Sequence, residues 1–207
     1  MTSLRRESFW AFPCLLLALG AGGPVFAEGD VSAGLGMGGY VSPVGANAAD
    51  GASRASFVLD AAGNWSLIPE LSLGLVEIGS FGGGDFALAP SDNATETIIN
   101  SATAFVLTRV WAAERFRGDV GVSLGGGPFY VSDRIDHSGA SLSSSGWGPM
   151  AIAQCTWSSP LGASGFYRFR LAWMWASTDL AVADNPGYRQ NSDWSRLELT
   201  VGLGLKL

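Results

Sequence analysis

His137 is the one histidine of the chain, and acids and hydroxyls crowd around it: Asp133, Asp136, Ser138 and Ser141. A base, a hydroxyl and an orienting carboxylate can together make a nucleophile for acyl transfer. Two side chains that share one face of an extended segment must be two residues apart. Gly139, not a serine, stands two residues after His137. The arrangement therefore fails where spacing can test it, and His137 reads as a solvated loop histidine. The Gly82-Gly83-Gly84-Asp85 run lacks the lysine and following helix of a phosphate-binding loop, so it reads as a flexible exposed segment. No His/Cys cluster has metal-ligand spacing. Cys155 reads as a small apolar side chain on a strand. No catalytic, cofactor-binding or metal-binding residue is assigned, and no cofactor is expected.

The elements that carry these residues say more. Arg5 and Arg6 precede an apolar run containing Leu15, Leu16, Leu17, Ala18 and Leu19, and Val25-Phe26-Ala27 offers small side chains at its first and third positions ahead of Glu28. That is the layout of a secretory signal peptide, expected to span 1–27 and to leave 28–207 as the mature domain. Cys14 would leave with it. Of the 207 residues, 12 are Lys or Arg and 18 are Asp or Glu. Without Arg5, Arg6 and Glu7 the balance is ten bases to seventeen acids, a net charge of −7. Such a surface excludes nucleic acid as a partner. No run past residue 27 is long and apolar enough to cross a membrane as a helix.

The dominant pattern past residue 27 has period two, the signature of strands with two unlike faces. From Arg196 to Leu207 it holds without exception. Leu197, Leu199, Val201, Leu203, Leu205 and Leu207 share one face; Arg196, Glu198, Thr200, Gly202, Gly204 and Lys206 share the other. Just before it, Tyr167, Phe169, Leu171, Trp173 and Trp175 oppose Arg168, Arg170, Ala172, Met174 and Ala176. Six earlier segments follow the same rule with more noise: 31–41, 56–67, 70–79, 102–111, 116–130 and 147–157. Arg109 interrupts the apolar face of the fourth, and Gly125-Gly126-Gly127 is expected to kink or bulge the fifth at a rim. The spacing thus predicts eight strands.

Connections alternate in length. Pro69-Glu70, 112–115 and 158–164 are short; 43–54, 80–98, 132–144 and 179–193 are longer and rich in Gly, Ser, Asn and Asp, with Asn185-Pro186-Gly187 a turn. Short turns at one end and long loops at the other describe an all-β, eight-stranded antiparallel up-and-down transmembrane β-barrel. Three features orient it with the apolar face outward. The polar face carries many small residues, as a narrow lumen requires. It also carries charges of both signs that could pair inside: Asp60, Glu70, Arg117, Asp119, Arg168, Arg170, Arg196, Glu198 and Lys206. Finally, Trp147 and Trp157 share a face ten residues apart, roughly the height of the apolar band between two aromatic girdles.

On these strands and on its last residues, the chain resembles the small bacterial outer-membrane β-barrel proteins of the outer membrane protein A and X type. Thr200, Gly202, Leu205 and Leu207 fit that family's C-terminal targeting signal, although the family usually ends in an aromatic. The resemblance implies export to the outer membrane of a Gram-negative cell. It implies outer-membrane lipid, lipopolysaccharide and the barrel-assembly machinery as partners. It also implies function in extracellular loops that meet a ligand not readable from composition. Other barrels of this look modify lipid A with a His, a Ser and an acid. A lipid A-modifying enzyme centred on His137 and a narrow, porin-like channel are therefore the alternatives to a non-enzymatic scaffold.

Overall fold

The computed structural model describes residues 29–40, 55–89, 92–182 and 185–207. The expected signal peptide, 1–27, and the first long connection, 43–54, lie outside them. Nine strand segments run in chain order: β1 Gly29–Tyr40, β2 Ala55–Ile68, β3 Leu71–Ala89, β4 Asp92–Ala113, β5 Gly118–His137, β6 Ala140–Leu161, β7 Gly165–Val182, β8 Asn185–Asp193 and β9 Arg196–Lys206. Every pairing is antiparallel, and β9 closes on β1. β8 and β9 are one strand in all but name. β7 pairs Ser177 with Asp193 and Met174 with Arg196 in unbroken register, and the Trp194 N–H donates to the Ala176 carbonyl between them at 2.8 Å. The barrel therefore has the eight strands expected from period two.

Register fixes its shape. A row of paired residues can be followed around the wall from Leu71 to Arg109, Val122, Cys155, Leu171, Leu199, Met37, Phe57 and back to β3 at Phe81. The row returns ten residues above its start. With a rise of about 3.3 Å per residue and strands about 4.7 Å apart, that offset demands a tilt of about 41°. The same ten residues span about 25 Å along the barrel axis, the height of a lipid-facing band.

The two faces divide as expected. Apolar side chains project outward from all eight strands, with Met37 68%, Leu124 66% and Trp147 66% exposed. Soluble monomers rarely expose contiguous apolar patches above a few hundred Å². Arg109, the exception on β4, also points outward, with its guanidinium 5.3 Å from the Trp111 ring at the turn end. There it can lay its stem along apolar surface and keep its charge near water.

Two expectations about irregular backbone are corrected. First, 80–98, 132–144 and 179–193 are hairpins rather than loops. β3 pairs with β4 as far as Ala89↔Asp92, β5 with β6 as far as His137↔Ala140, and β7 with β8 as far as Val182↔Asn185. Gly82–Asp85 lies within β3, and Asn185-Pro186-Gly187 opens β8. Ladder hydrogen bonds need no particular side chain. Beyond the apolar band the outward face of a hairpin is polar too and its buried face holds polar residues such as Glu96 and Asp133, so the apolar alternation that marks a strand disappears there. Second, Gly125-Gly126-Gly127 makes no bulge: β5 keeps its register with β4 from Phe129↔Ala102 through Gly126↔Phe105. A Cβ on Gly125 would lie 2.1 Å from the Phe105 carbonyl oxygen, and one on Gly127 2.0 Å from that of Thr103. These glycines let a strongly coiled wall bring neighbouring backbones together.

The seam between β1 and β9 has the same requirement. A Cβ on Gly36 would meet the Leu199 carbonyl oxygen at 1.9 Å and the Thr200 Cα at 2.7 Å, whereas one on Gly79 meets nothing within 4 Å. Gly36→Val is expected to destabilise the folded barrel by at least about 2 kcal/mol, and Gly79→Val to stay within about 0.5 kcal/mol. Denaturant unfolding of both variants in lipid vesicles, followed by tryptophan fluorescence, checks the contrast; equal midpoints would refute it.

Candidate functional site

Among the inward positions of β2, β7 and β9 are Asp60, Arg168, Arg170, Arg196, Glu198 and Thr200, and all six are buried. Strand alternation aims them at one axis, and the closed ring sets them side by side. Asp60 accepts from Arg168, from Arg170 Nε at 3.1 Å and from the Thr200 hydroxyl. Arg170 Nη2 donates to Glu198 at 2.9 Å. Glu198 also pairs with Arg196, which in turn donates to Asn100 Oδ1 at 2.6 Å. Asn100 Nδ2 donates to the Tyr40 hydroxyl at 2.6 Å. The result is a ladder of alternating sign up one side of the lumen. Opposite it stand Val76, Ile78, Val106, Phe129, Met150 and Ile152, all buried. Trp194 lies at the hairpin end, fully buried, with its Nε1 donating to Thr178 at 2.8 Å and its ring edge-on to Tyr40.

The lumen charges were only partly legible. Five of the nine expected inside form the ladder. Glu70 and Arg117 are instead exposed at the turn end, and Asp119 and Lys206 line its mouth. Alternation gives a side chain's face but not its height, and these four sit too near the rim to be enclosed. Tyr40, Asn100 and Ser80, whose hydroxyl accepts from Arg196, are not legible in the sequence, because a hydroxyl or amide on a polar face looks the same whether or not an arginine stands across the barrel. Below the ladder a cavity of about 500 Å³ opens at the turn end, lined by polar groups that include Asn64, Ser72, Thr108, Ser123, Gln154 and Arg168.

His137 is not in a loop. It ends β5, seven residues past Tyr130, whose ring packs at 4.9 Å on that of Trp147 in the outer aromatic girdle. At the barrel's tilt that is about 17 Å beyond the girdle. Ser138 and Gly139, with φ of 46° and 80°, make the two-residue turn in which both central residues take positive φ. Pairing puts Ser141 directly across from Asp136, and His137 across from Ala140. Neighbouring residues of a strand face opposite ways. His137 and Asp133 thus occupy one face of the hairpin, while Arg134, Asp136 and Ser141 occupy the other. The structure brings together the second group, not a His–Ser pair with Ser141. The Arg134 guanidinium 3.0 Å from Asp136, and after it the Ser141 hydroxyl, hold that carboxyl below the usual aspartate range. The contact is therefore intact at neutral pH and is lost as pH falls through the acidic carboxylate range.

Among outward-facing residues sequence reasoning missed Glu77. It continues the series Leu71, Leu73, Leu75 on β3, and its Oε1 accepts from the Thr103 hydroxyl at 2.7 Å. Extending the alternation by one more step would have found it.

The ring, its tilt and its divided faces are those of the small bacterial outer-membrane β-barrels. Similar solved structures include OprG of Pseudomonas aeruginosa, 11% identical with a TM-score of 0.57, and Ail, the attachment invasion locus protein of Yersinia pestis, 10% identical with a TM-score of 0.56. A major outer membrane protein of Thermus thermophilus is 12% identical, with a TM-score of 0.55. Each match covers 87% of this chain and between 95% and 99% of the other. No protein-family model matches the chain, and no curated protein matches it by sequence. The likeness is one of fold.

Removing one member of a buried ion pair leaves the others charged and unpaired, at a cost of about 3–5 kcal/mol. Asp60 holds Arg168, Arg170 and Thr200 together, so Asp60→Ala is expected to lose stability in that range. The check is denaturant unfolding in vesicles against wild type; a loss below about 1 kcal/mol would mean the ladder carries little of the fold's stability.

Proposed function

We propose that the chain is a non-enzymatic outer-membrane protein: a barrel held in lipid that presents β-hairpins to the outside of a bacterial cell. The observation that carries this reading is the closed ring of eight strands with exposed apolar side chains on every one of them. Hydrocarbon offers no hydrogen bonds, so a sheet can cross it only when no edge is left open. Aromatic rings mark both limits of the band, with Trp65, Trp111 and Trp157 toward the turns and Phe81, Tyr130 and Trp147 toward the hairpins.

Two features weigh against the alternatives. The ion-pair ladder and the apolar side chains opposite it fill the lumen between the turn-end cavity and Trp194, which disfavours conduction. His137 stands well beyond the girdle, and Ser141 lies on the other face of its hairpin, which disfavours acyl transfer on a lipid. The function then rests with the hairpins. The segments 43–54, 80–98, 132–144 and 179–193 hold nine acids and three bases, Arg54, Arg134 and Arg189. One solved structure of Ail holds a heparin analogue, sucrose octasulfate. The net negative charge of these segments repels such a polyanion, so the ligand expected here is neutral or cationic.

Protein folded into vesicles of brominated lipid should show strong quenching of its outward tryptophans and heat-modifiable gel migration. Protein that stays soluble and unquenched without detergent would sink the membrane reading. Lipid A from cells expressing the chain should keep its acyl count by mass spectrometry. An acyl chain lost with wild type but retained with His137→Ala would replace the scaffold with an enzyme.

A further inference from the structure

Glu77 is out of place. It points outward from β3, six residues above Leu71 and four below Phe81, which puts it about 15 Å up the roughly 25 Å apolar band. Thr103 across on β4 is its only hydrogen-bond partner among the described residues, and that bond uses Oε1 alone. On the other side Glu77 faces Ala61 of β2. Neither neighbour is charged. The nearest outward charge on these strands is Arg109, six residues nearer the turns and beyond the reach of a carboxylate held at this level. Inside a membrane an ionisable side chain is expensive and calls for a partner.

The surface around it is also shaped differently from the rest of the belt. The rows of paired outward residues read Gly63–Leu75–Phe105 below and Phe57–Phe81–Ile99 above. Between them lie Ala61–Glu77–Thr103 and Leu59–Gly79–Ser101. Ala61, Thr103, Gly79 and Ser101 thus form a shallow recess around the Glu77 carboxyl, bounded by Leu59, Leu75, Phe105 and Phe81.

We propose that this recess is the interface through which two copies of the chain pair within the bilayer, with Glu77 and Thr103 of one copy against Glu77 and Thr103 of the other. The inference rests on the lipid-facing reading of this surface. Its occupant follows from geometry. Copies inserted in the same direction are related by an axis along the membrane normal, so each residue meets its counterpart at its own depth. A group at such an interface must complement itself. A carboxyl does so, because two carboxyls can hydrogen-bond through one shared proton. Each Thr103 hydroxyl then supports the oxygen it already contacts. Small residues around the pair allow the two walls to approach closely, the usual requirement where lipid gives no hydrophobic drive to associate.

Cysteine cross-linking tests this. Gly79 has open space for a side chain and lies two residues from Glu77 on the same face. Leu171, exposed on β7, lies on the opposite side of the ring and serves as the control. Each single cysteine is placed in a Cys155→Ser background, because Cys155 is itself exposed. Mature full-length protein is folded into lipid vesicles and oxidised. The expected result is a covalent dimer at Gly79→Cys forming at least about tenfold faster than at Leu171→Cys. Adding Glu77→Leu should cut it about tenfold while heat-modifiable migration persists. Equal rates at the two positions, or undiminished cross-linking in Glu77→Leu, would overturn the interface, leaving Glu77 against lipid alone. Failure of every variant to insert would instead overturn the membrane reading on which it rests.

Discussion

Each backbone N–H and C=O buried away from water needs a partner, and in hydrocarbon only another part of the chain can supply one. The pairing of β9 with β1 meets that need by leaving the wall of the barrel without an edge. Closure with a ten-residue offset then sets the tilt, and the tilt sets how much strand fits across an apolar band. It also sets how near the walls stand. The glycines at 36, 125 and 127 sit where a neighbouring carbonyl would touch a Cβ, so they are consequences of closure rather than local turn signals.

A ring this narrow has an interior that side chains must fill. On the β2–β7–β9 side they do so with charge, and on the β3–β6 side with Val, Ile, Phe and Met. The two halves depend on each other. The apolar half excludes water and so raises the cost of any unpaired charge, while the ladder answers each carboxylate with a guanidinium. Asp60 and Glu198 lie between three arginines, which gives the sequence of signs Arg168, Asp60, Arg170, Glu198, Arg196. The outside is ruled by the opposite solvent. There a leucine is at ease and a carboxyl is not, so Glu77 stands out in a way that the same residue in the lumen or on a hairpin would not.

Strand number, face and order were legible in the sequence because a strand's period of two is written directly in side-chain type. The run from Arg196 to Leu207 needed no structure to be read. The hairpin extensions were not legible. Past the apolar band the outward face turns polar and the buried face also holds polar residues, so β5 past Tyr130 carries no apolar alternation to detect. Composition there reads as loop, and His137 with it.

The sequence by itself determined that eight strands with one apolar and one polar face would follow one another. Each of those properties is local, and each depends only on residues a few positions apart. Only the tertiary structure decided which charges meet. Arg168 and Asp60 are separated by 108 residues, and Arg196 and Asn100 by 96. Their contact depends on the register of every strand between them. The heights of Glu70 and Arg117 outside the lumen, and of Glu77 in the middle of the band, follow from that register as well, because a face is a property of a strand while depth is a property of the closed ring.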